Sequence, residues 1–349
     1  MANDWKNILI IKPSSLGDIV MALPALKALH ESFPDAKISW LVRPEFAPLL
    51  EGHPYIAQLI PFDRKLLSKA WCSPKAFHAL LSLLRRLSRS RFDAVVDFQG
   101  LFRTAALAWL SGCKNRFGMS DAREFAYLFY SNKVPQSPSS VHVVDCYLNM
   151  TRALGAANAD VEFIFPADPA AADSVNRLLT THGVSTDNYA VLIPGSSQAK
   201  KCWPVENFAE LAEKITTQFG CSIVATGTKE EKPVAGRLKE LASVPVMNLA
   251  GLTNLRELTS LLRNAKVVVS NDTGPAHMAA GLGRPLVIIF GPSNPVRLYP
   301  YGRKECVVAI DPFSRGLKLR SSDPKHDIRV VTIEQVYQKL CRQFRQNQA

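Results

Sequence analysis

The 349-residue sequence lacks the cysteine spacings that zinc sites and disulfide frameworks need. Seven cysteines are scattered along the chain without a C-x-x-C pair, and their number is odd. A zinc site and a disulfide framework are therefore not expected, and this usage fits a reducing cytoplasm. The cysteines are Cys72, Cys113, Cys146, Cys202, Cys221, Cys306 and Cys341.

Long apolar segments are also missing. The sequence contains no uncharged apolar run of 18 residues, so we expect no helix that spans a membrane. The opening stretch, MANDWKNILII, carries an acid and has no long apolar core, so we expect no signal peptide. We found no internal repeat or low-complexity segment. With 47% hydrophobic and 21% charged residues, the composition is typical of a soluble globular protein.

The charge balance is basic. Lysine and arginine number 42 against 30 acids, a net charge of +12. Such a surplus favours an anionic partner, although a merely solubilising surface explains it equally well. A nucleic-acid interface needs basic residues interleaved with exposed aromatics, whereas the basic residues here are dispersed. We therefore expect no nucleic-acid partner.

Hydrophobic patterning predicts an α/β fold. Short continuous apolar runs alternate with helical patterns, as expected of parallel strands covered on both faces. The stretch at 163–173, FIFPADPAAAD, is interpreted as a linker. It predicts two doubly wound parallel-sheet domains, at 1–165 and 166–332. A ligand is expected in the cleft between the carboxyl ends of their strands. The predicted strands are Asn7–Ile11, Lys37–Val42, Gln58–Phe62, Ala94–Phe98, Tyr189–Pro194, Ser222–Thr226, Val246–Leu249, Val267–Ser270, Leu286–Phe290 and Cys306–Ile310.

The first predicted strand leads into IIKPSSLGDIV, residues 10–20. A dinucleotide-binding fingerprint would place three glycines here, but only Gly17 is present. By its spacing, Asp18 reads as the N-cap of a helix that begins near Ile19.

The sequence VVVSNDTGPAHMAAGLGRPLVIIFGPSNP is the strongest functional signal. A buried strand ends at Ser270, and a turn then opens a helix of small residues. Free amides at such a helix start can hold a diphosphate, and Gly274 permits a close backbone approach. Asp272 and Thr273 could equally cap the helix. With His277 at the same end, the clustering favours a binding site.

Two further strand ends carry polar residues. In LIPGSSQAKKCWPVENF, Ser196, Ser197 and Lys201 precede a helix start. Hydroxyls and an ammonium beside a helix start are groups that bind phosphate oxygens. In ATGTKEEKPVAGRL, Glu231 holds the position of the ribose-binding acid of dinucleotide sites and is preferred over Glu230. A helix-start acid that interacts favourably with the helix dipole is an equally good interpretation of Glu231.

Together these stretches resemble the glycosyltransferase family 9 heptosyltransferases of lipopolysaccharide inner-core synthesis. NDTGPAH…AAGLGRP…FGPSNP is the most specific match, supported by KPSSLGD, KKCWPVENFAELA, DFQGL and AREFAYLFY. The last two look closer to heptosyltransferase I than to its later-acting relatives. The resemblance implies a GT-B fold of two Rossmann-like domains and an inverting transfer from a nucleotide sugar, without a metal or other cofactor. It also implies that a C-terminal helix, 333–349, completes the first domain.

The resemblance assigns roles to individual residues. Asp18 falls on the catalytic base, Lys201 on the phosphate-binding lysine and Glu231 on the ribose-binding acid. Thr253, in GLTNL, falls on the stretch that lines the adenine. The remaining donor-binding positions are Ser196, Ser197, Asp272, Thr273, Gly274 and His277.

The implied donor is ADP-heptose, and the implied acceptor is the Kdo region of lipid A, an amphiphile with carboxylates and phosphates. Basic residues of the first domain are expected to bind this acceptor. The implied protein is a cytoplasmic monomer, and the basic amphipathic segment at 74–92 suggests peripheral contact with the inner membrane, although such a helix more often packs on its own sheet. The acceptor-binding candidates are Lys12, Ser15, Gly17, Arg64, Lys65 and Arg123.

Other functions remain open at this point. A family 9 relative could transfer another activated sugar to an O-chain or protein acceptor, or the chain could bind a nucleotide sugar without transferring it. A nucleotide-sugar epimerase of similar architecture would need acid and histidine clusters, which are not found around Asp18.

Overall fold

The computed structural model describes residues 4–136, 141–157, 160–316, 318 and 320–346. The chain divides into two compact units, Met1–Pro166 and Ala167–Ala349. The boundary falls within the linker expected at 163–173.

The first unit is a six-stranded parallel sheet with helices between its strands. The sheet order is β3-β2-β1-β4-β5-β6. Its strands are β1 (Asn7–Ile11), β2 (Lys37–Val42), β3 (Gln58–Pro61), β4 (Ala94–Asp97), β5 (Asn115–Met119) and β6 (Asn132–Val134). Its helices are α1 (Leu16–Met21), α2 (Leu23–Ser32), α3 (Ala47–Leu50), α4 (Arg64–Leu67), α5 (Pro74–Arg89), α6 (Phe102–Leu110) and α7 (Val143–Ala153).

The second unit repeats this architecture. Its parallel sheet has the order β12-β11-β10-β7-β8-β9. Its strands are β7 (Tyr189–Ile193), β8 (Ser222–Ala225), β9 (Val246–Asn248), β10 (Val267–Asn271), β11 (Leu286–Ile289) and β12 (Val307–Val308). Its helices are α8 (Pro169–Thr181), α9 (Val205–Phe219), α10 (Lys232–Leu241), α11 (Leu255–Asn264), α12 (Gly274–Gly281), α13 (Pro295–Leu298) and α14 (Ile333–Gln346).

The sequence prediction of an α/β, doubly wound fold is confirmed. The central strands are buried on both faces, which explains their continuous apolar sequences. In each sheet the strand order reverses at the centre, between β1 and β4 and between β7 and β10. Loops beyond the carboxyl ends of such strands are where open α/β sheets bind ligands.

The C-terminal helix lies elsewhere than predicted. We expected residues 333–349 to complete the first unit, but Val336, Leu340 and Phe344 of α14 are buried in the core of the second. The ring of Phe344 stacks on Phe219 of α9, with centroids 3.9 Å apart. The prediction is therefore wrong for α14, and residues 347–349 lie outside the described part of the chain.

Helix α5 buries its apolar face against the first sheet. Ala76, Leu83 and Leu87 are buried, and the two leucines belong to the core beneath β1, β2 and β4. The packing of α5 on its own sheet thus uses this buried face, whereas Phe77 near the start of the helix is 49% exposed. Among the helices of the described residues, none combines the length and hydrophobicity needed to cross a bilayer.

Candidate active site

Asp18 lies in the first turn of α1, directly after the loop from β1, at the first of the two switch points. Ser15, not Asp18, is the N-cap of α1, and Asp18 occupies the third helical position. The Asp18 carboxylate accepts hydrogen bonds from the Ser15 amide at 3.0 Å and the Ser15 hydroxyl at 2.6 Å, both to Oδ2. The predicted N-cap role of Asp18 is thus wrong, because α1 begins three residues earlier than expected. Gly17 is buried in the same turn.

Lys12 lies beside this carboxylate. Its ammonium nitrogen is 3.9 Å from Asp18 Oδ1 and donates to the Phe98 carbonyl at 3.5 Å. The same nitrogen lies 5.4 Å from the ring centroid of Tyr147. Burial lowers the pKa of Lys12, opposed by the negative charges of Asp18 and Asp97. Lys12 is therefore a buried neighbour of the Asp18 carboxylate rather than a surface cation.

Sequence reasoning did not identify Asp97, at the end of β4. It is buried, and its Oδ1 accepts from the amides of Gln99 at 2.9 Å and Gly100 at 3.2 Å. The Tyr130 hydroxyl donates to Oδ2 at 2.8 Å. Burial raises the pKa of Asp97, although these hydrogen bonds oppose the shift. The only sequence signal was the stretch DFQG, whose acid and glycine form this turn.

The other basic acceptor candidates lie in two places. Arg64 and Lys65 are exposed on α4, which follows β3 at the edge of the sheet. Arg123 follows β5, and its positive charge lowers the pKa of Lys12. Arg123, like Arg64 and Lys65, is exposed, but of the three its charge alone acts on Lys12 beside Asp18.

In the second unit, three predicted residues meet directly. The Lys201 ammonium donates to Asp272 Oδ2 at 2.6 Å, and His277 Nε2 lies 3.8 Å from Asp272 Oδ1. All three side chains are largely buried. Burial would raise the pKa of Asp272, but His277 and Lys201 together hold it below its ordinary value. Asp272 is therefore an ionised carboxylate whose two oxygens face these two side chains.

The start of α12 lies next to this carboxylate. Thr273 occupies the N-cap position, but its side chain does not cap the helix, and its hydroxyl lies 3.0 Å from Ser270 Oγ. Asp272 is held by Lys201 instead. The capping interpretation is therefore wrong for both side chains. Gly274 and Ala276 carry the first amides of α12, because Pro275 has none.

Asn271, which the sequence reasoning also missed, fixes the neighbouring loop. Its side-chain amide donates to the carbonyl of Pro194 at 2.8 Å and accepts from the Trp203 amide at 3.0 Å. These bonds tie the loop after β7 to the end of β10. Ser196, which is half-buried, and Ser197, which is exposed, follow in that same loop. The arrangement holds Lys201, at the loop's end, beside Asp272.

Glu231 lies against the same loop. A Cβ atom at Gly195 would come within 2.5 Å of Glu231 Cδ, and one at Gly227 within 2.9 Å of Glu231 Oε2. Glycine at both positions therefore makes room for the carboxylate. Glu231 Oε2 accepts from the Thr228 amide at 2.8 Å, so the local turn also uses this acid at the start of α10.

Thr253 follows β9 in the next loop along the sheet edge. The Gly251 amide donates to the Gly227 carbonyl at 2.9 Å, and a Cβ at Gly251 would meet Lys229 Cα at 2.9 Å. The loops after β8 and β9 are thus in contact, and Thr253 is half-buried there. Over the described ranges we found no group of three histidine, cysteine, aspartate or glutamate side chains arranged to hold a metal ion.

Comparison with known proteins places these observations in context. The model of glycosyltransferase family 9 (heptosyltransferase) matches residues 80–326. The lipopolysaccharide core heptosyltransferase OpsX of Haemophilus influenzae is 29% identical over 310 residues, which cover 87% of this chain and 84% of that protein. Lipopolysaccharide heptosyltransferase 1 of Escherichia coli K12 is 30% identical over 307 residues, 86% and 92% of the two chains.

A solved structure shows the same likeness. E. coli heptosyltransferase WaaC with ADP-2-deoxy-2-fluoro heptose superposes with a TM-score of 0.75 at 28% identity, covering 98% of this chain and all of that one.

Proposed function

The chain belongs to glycosyltransferase family 9, and from this premise we propose that it transfers a heptose from ADP-heptose to the Kdo region of lipid A. The donor is supported by the ADP-heptose analogue bound to WaaC, and the acceptor by the lipopolysaccharide heptosyltransferases among its relatives. Its place of action is the cytoplasm, where nucleotide-activated sugars are available.

One observation carries the donor assignment. Lys201 is held 2.6 Å from the ionised Asp272, beside the uncapped amino end of α12. An ammonium and a set of helix-start amides both bind diphosphate oxygens. We assign these contacts to Lys201, to the amides around Thr273 and Gly274, and to the hydroxyls of Ser196 and Ser197.

Asp272 has a different role in this proposal from the one inferred from sequence. A carboxylate repels a diphosphate, and its two oxygens already face Lys201 and His277. Asp272 is therefore a positioning residue that orients Lys201 and His277. Glu231 binds the ribose hydroxyls, and Thr253 lines the adenine, since their loops adjoin along the sheet edge.

The chemistry is a single displacement. Asp18 takes the proton of the acceptor hydroxyl as that oxygen attacks the anomeric carbon. The bond from that carbon to the diphosphate oxygen breaks, and ADP departs with the bonding pair. Lys201 and the α12 amides stabilise the charge that develops on the diphosphate. The anomeric configuration is inverted, and the proposal assigns no step to a metal or other cofactor.

The first unit holds the base in position. Ser15 fixes Asp18 through two hydrogen bonds, and Lys12 places a positive charge 3.9 Å from its other oxygen. Acceptor carboxylates and phosphates bind to Arg123, Arg64 and Lys65. Lys12 and Gly17 shape the turn around the base.

The test is a transfer assay on Kdo-lipid A that compares ADP-heptose with GDP- and UDP-activated sugars, with and without EDTA. We expect product only from ADP-heptose, at a rate unchanged by EDTA. Transfer from another nucleotide sugar would identify a family relative with a different substrate. Binding of ADP-heptose without transfer to any acceptor would refute the proposed function.

A further inference from the structure

Lys12 is a lysine that lies almost wholly out of water. It directly follows β1 and is only 3% exposed. An ammonium in a protein interior loses its proton unless negative charge or hydrogen bonds compensate for the lost water. The hydrogen bond that Lys12 donates to the Phe98 carbonyl is long, at 3.5 Å. The charge of Lys12 therefore depends on the carboxylates near it.

Strand pairing brings one such carboxylate, Asp97, to the same place. In the register of β1 with β4, Ile11 lies opposite Asp97, the last residue of β4. Lys12 comes one residue after Ile11, and its ammonium reaches the carbonyl of Phe98, the residue after Asp97. The second carboxylate is that of Asp18, whose Oδ1 lies 3.9 Å from the ammonium. Lys12 is thus a buried cation with two acidic neighbours.

The other elements around Lys12 supply no compensating negative charge. Tyr147 of α7 places its ring centroid 5.4 Å from the ammonium, and burial raises the pKa of its hydroxyl so far that it stays neutral. The indole of Trp40, in β2, donates to the Lys12 carbonyl at 3.1 Å. Burial lowers the pKa of Lys12, Asp18 and Asp97 raise it, and the exposed Arg123 lowers it. The protonation of Lys12 is therefore controlled by the two aspartates.

Asp97 is held as a fixed carboxylate by neutral donors. Its Oδ1 accepts from the amides of Gln99 and Gly100, and its Oδ2 accepts from the Tyr130 hydroxyl at 2.8 Å. These bonds orient the carboxylate but bring no positive charge to it. A buried carboxylate is strongly unfavourable without a counter-charge, and Lys12 supplies one. Asp97 and Lys12 thus stabilise each other in their charged forms.

We propose that Asp97 is a positioning residue of the transfer site, which keeps the buried Lys12 charged so that Lys12 orients Oδ1 of Asp18. Ser15 holds Oδ2 of the same carboxylate through two hydrogen bonds, so the base is fixed from both sides. The kinetic consequence rests on the proposed function, in which Asp18 is the base. The charge state of Lys12 does not. If Asp97 served only its own turn, removing its charge would leave Lys12 unaffected.

NMR of protein labelled with ¹³C at lysine Cε measures the protonation of Lys12, whose signal is identified by its absence from Lys12→Met. We expect wild-type Lys12 to be charged near neutral pH. In Asp97→Asn its pKa should fall by about 1–3 units, the usual effect of one opposite charge nearby. Asp121→Asn, at an exposed acid after β5, is the matched control and should leave this pKa unchanged, because water screens its charge. A neutral Lys12 in wild type, or an unchanged pKa in Asp97→Asn, would overturn the proposal.

The pH profile of kcat on Kdo-lipid A gives a readout that a merely structural role would not move. The rate should fall at alkaline pH as Lys12 loses its proton, and this fall should come about 1–3 pH units lower in Asp97→Asn. In the Lys12→Met background, Asp97→Asn should cause no such shift, because the titrating group is absent. Equal shifts in both backgrounds would overturn a role through Lys12. If wild type transfers no heptose while the NMR result is as expected, the proposed function fails and the charge pairing stands.

The double variant Lys12→Met, Asp97→Asn also covers the case in which Asp97→Asn does not fold. Removing one partner of a buried ion pair leaves an uncompensated charge, whereas removing both does not. Folding of the double variant, when Asp97→Asn alone is unfolded, would support the pairing. If both variants are unfolded and Lys12→Met is folded, Asp97 serves its turn alone and the proposal fails.

Discussion

The Lys201 ammonium lies 2.6 Å from Asp272 Oδ2, and this pair joins two loops that are 71 residues apart in the chain. Lys201 ends the loop after β7, and Asp272 follows β10, the strand next to it. Because the two strands are adjacent and parallel, their carboxyl ends bring the charges together. A third side chain, that of His277 in the first turns of α12, faces the other carboxylate oxygen of Asp272.

Lys201→Ala should weaken ADP binding by about ten- to a hundredfold. The substitution removes a hydrogen bond donated by a charged group, and such a bond contributes about 1.5–3 kcal/mol. Titration calorimetry with ADP measures the effect. The adjacent Lys200 is exposed and provides the control, since Lys200→Ala should bind ADP like wild type. Equal losses in both variants would mean that the loop has only a general electrostatic role.

Asp272→Asn should lower the free energy of unfolding of the second unit by about 3–5 kcal/mol at neutral pH, because the largely buried Lys201 then lacks its counter-charge. The pKa of Asp272 is lowered in the folded state. Its stabilising effect is therefore fully present above the unfolded-state pKa of about 3.9 and is lost as pH falls towards the lowered folded value.

The gap between wild type and Asp272→Asn should accordingly be constant near neutrality and shrink below about pH 4. Urea unfolding at a series of pH values measures it. Asp173→Asn, at an exposed carboxylate of α8, should show no comparable gap at any pH. A gap for Asp272→Asn that widens on acidification would contradict the ion pair.

Gly195→Ala should reduce donor affinity severalfold with little change in stability. The new Cβ would lie 2.5 Å from Glu231 Cδ, and the flexible carboxylate would move away to relieve the contact. If Glu231 binds the ribose, Glu231→Gln and Gly195→Ala act on one contact, so their effects on the ADP-heptose Kd should not add. Strictly additive effects in the double variant would separate Gly195 from Glu231.

Gly118→Ala should destabilise the first unit by about 1–3 kcal/mol. A Cβ there would come within 2.1 Å of the buried Tyr130 ring, whose hydroxyl is bonded to Asp97. Gly236→Ala, within α10, is the control. Its new Cβ would lie 3.9 Å from Asn248 Nδ2, which is an ordinary contact distance. The substitution should therefore be neutral or stabilise the protein by about 0.5–1 kcal/mol. Equal melting temperatures for the two variants would show that Tyr130 is not held as described.

Much of the fold could be predicted from sequence, and the failures have physical causes. Continuous apolar runs revealed the central strands, but β5 and β6 were missed because NRFGM and NKV have too few consecutive apolar residues. The apolar stripe of α14 predicts burial but does not say against which sheet, so its placement was wrong.

Prediction of the candidate site from sequence was limited in the same way. The residues Lys201, Asp272 and His277 were found because each follows a strand or begins a helix. Asp97 was not found as a site residue, since its partner Tyr130 is 33 residues away on a part of the chain with no predicted strand. The role of Asp272 as the partner of Lys201 likewise depends on the fold, which brings together residues 71 positions apart.

The central claim is that Asp18 is the base of a sugar transfer whose donor is bound elsewhere, by Lys201 and its neighbours. The most direct measurement is the kcat of Asp18→Asn on Kdo-lipid A together with its Kd for ADP-heptose. The account predicts a loss of kcat of at least about a hundredfold, the lower end of what a general base contributes, with a nearly unchanged Kd. Full activity in Asp18→Asn, or a lost affinity for ADP-heptose that explains the whole loss of rate, would contradict it.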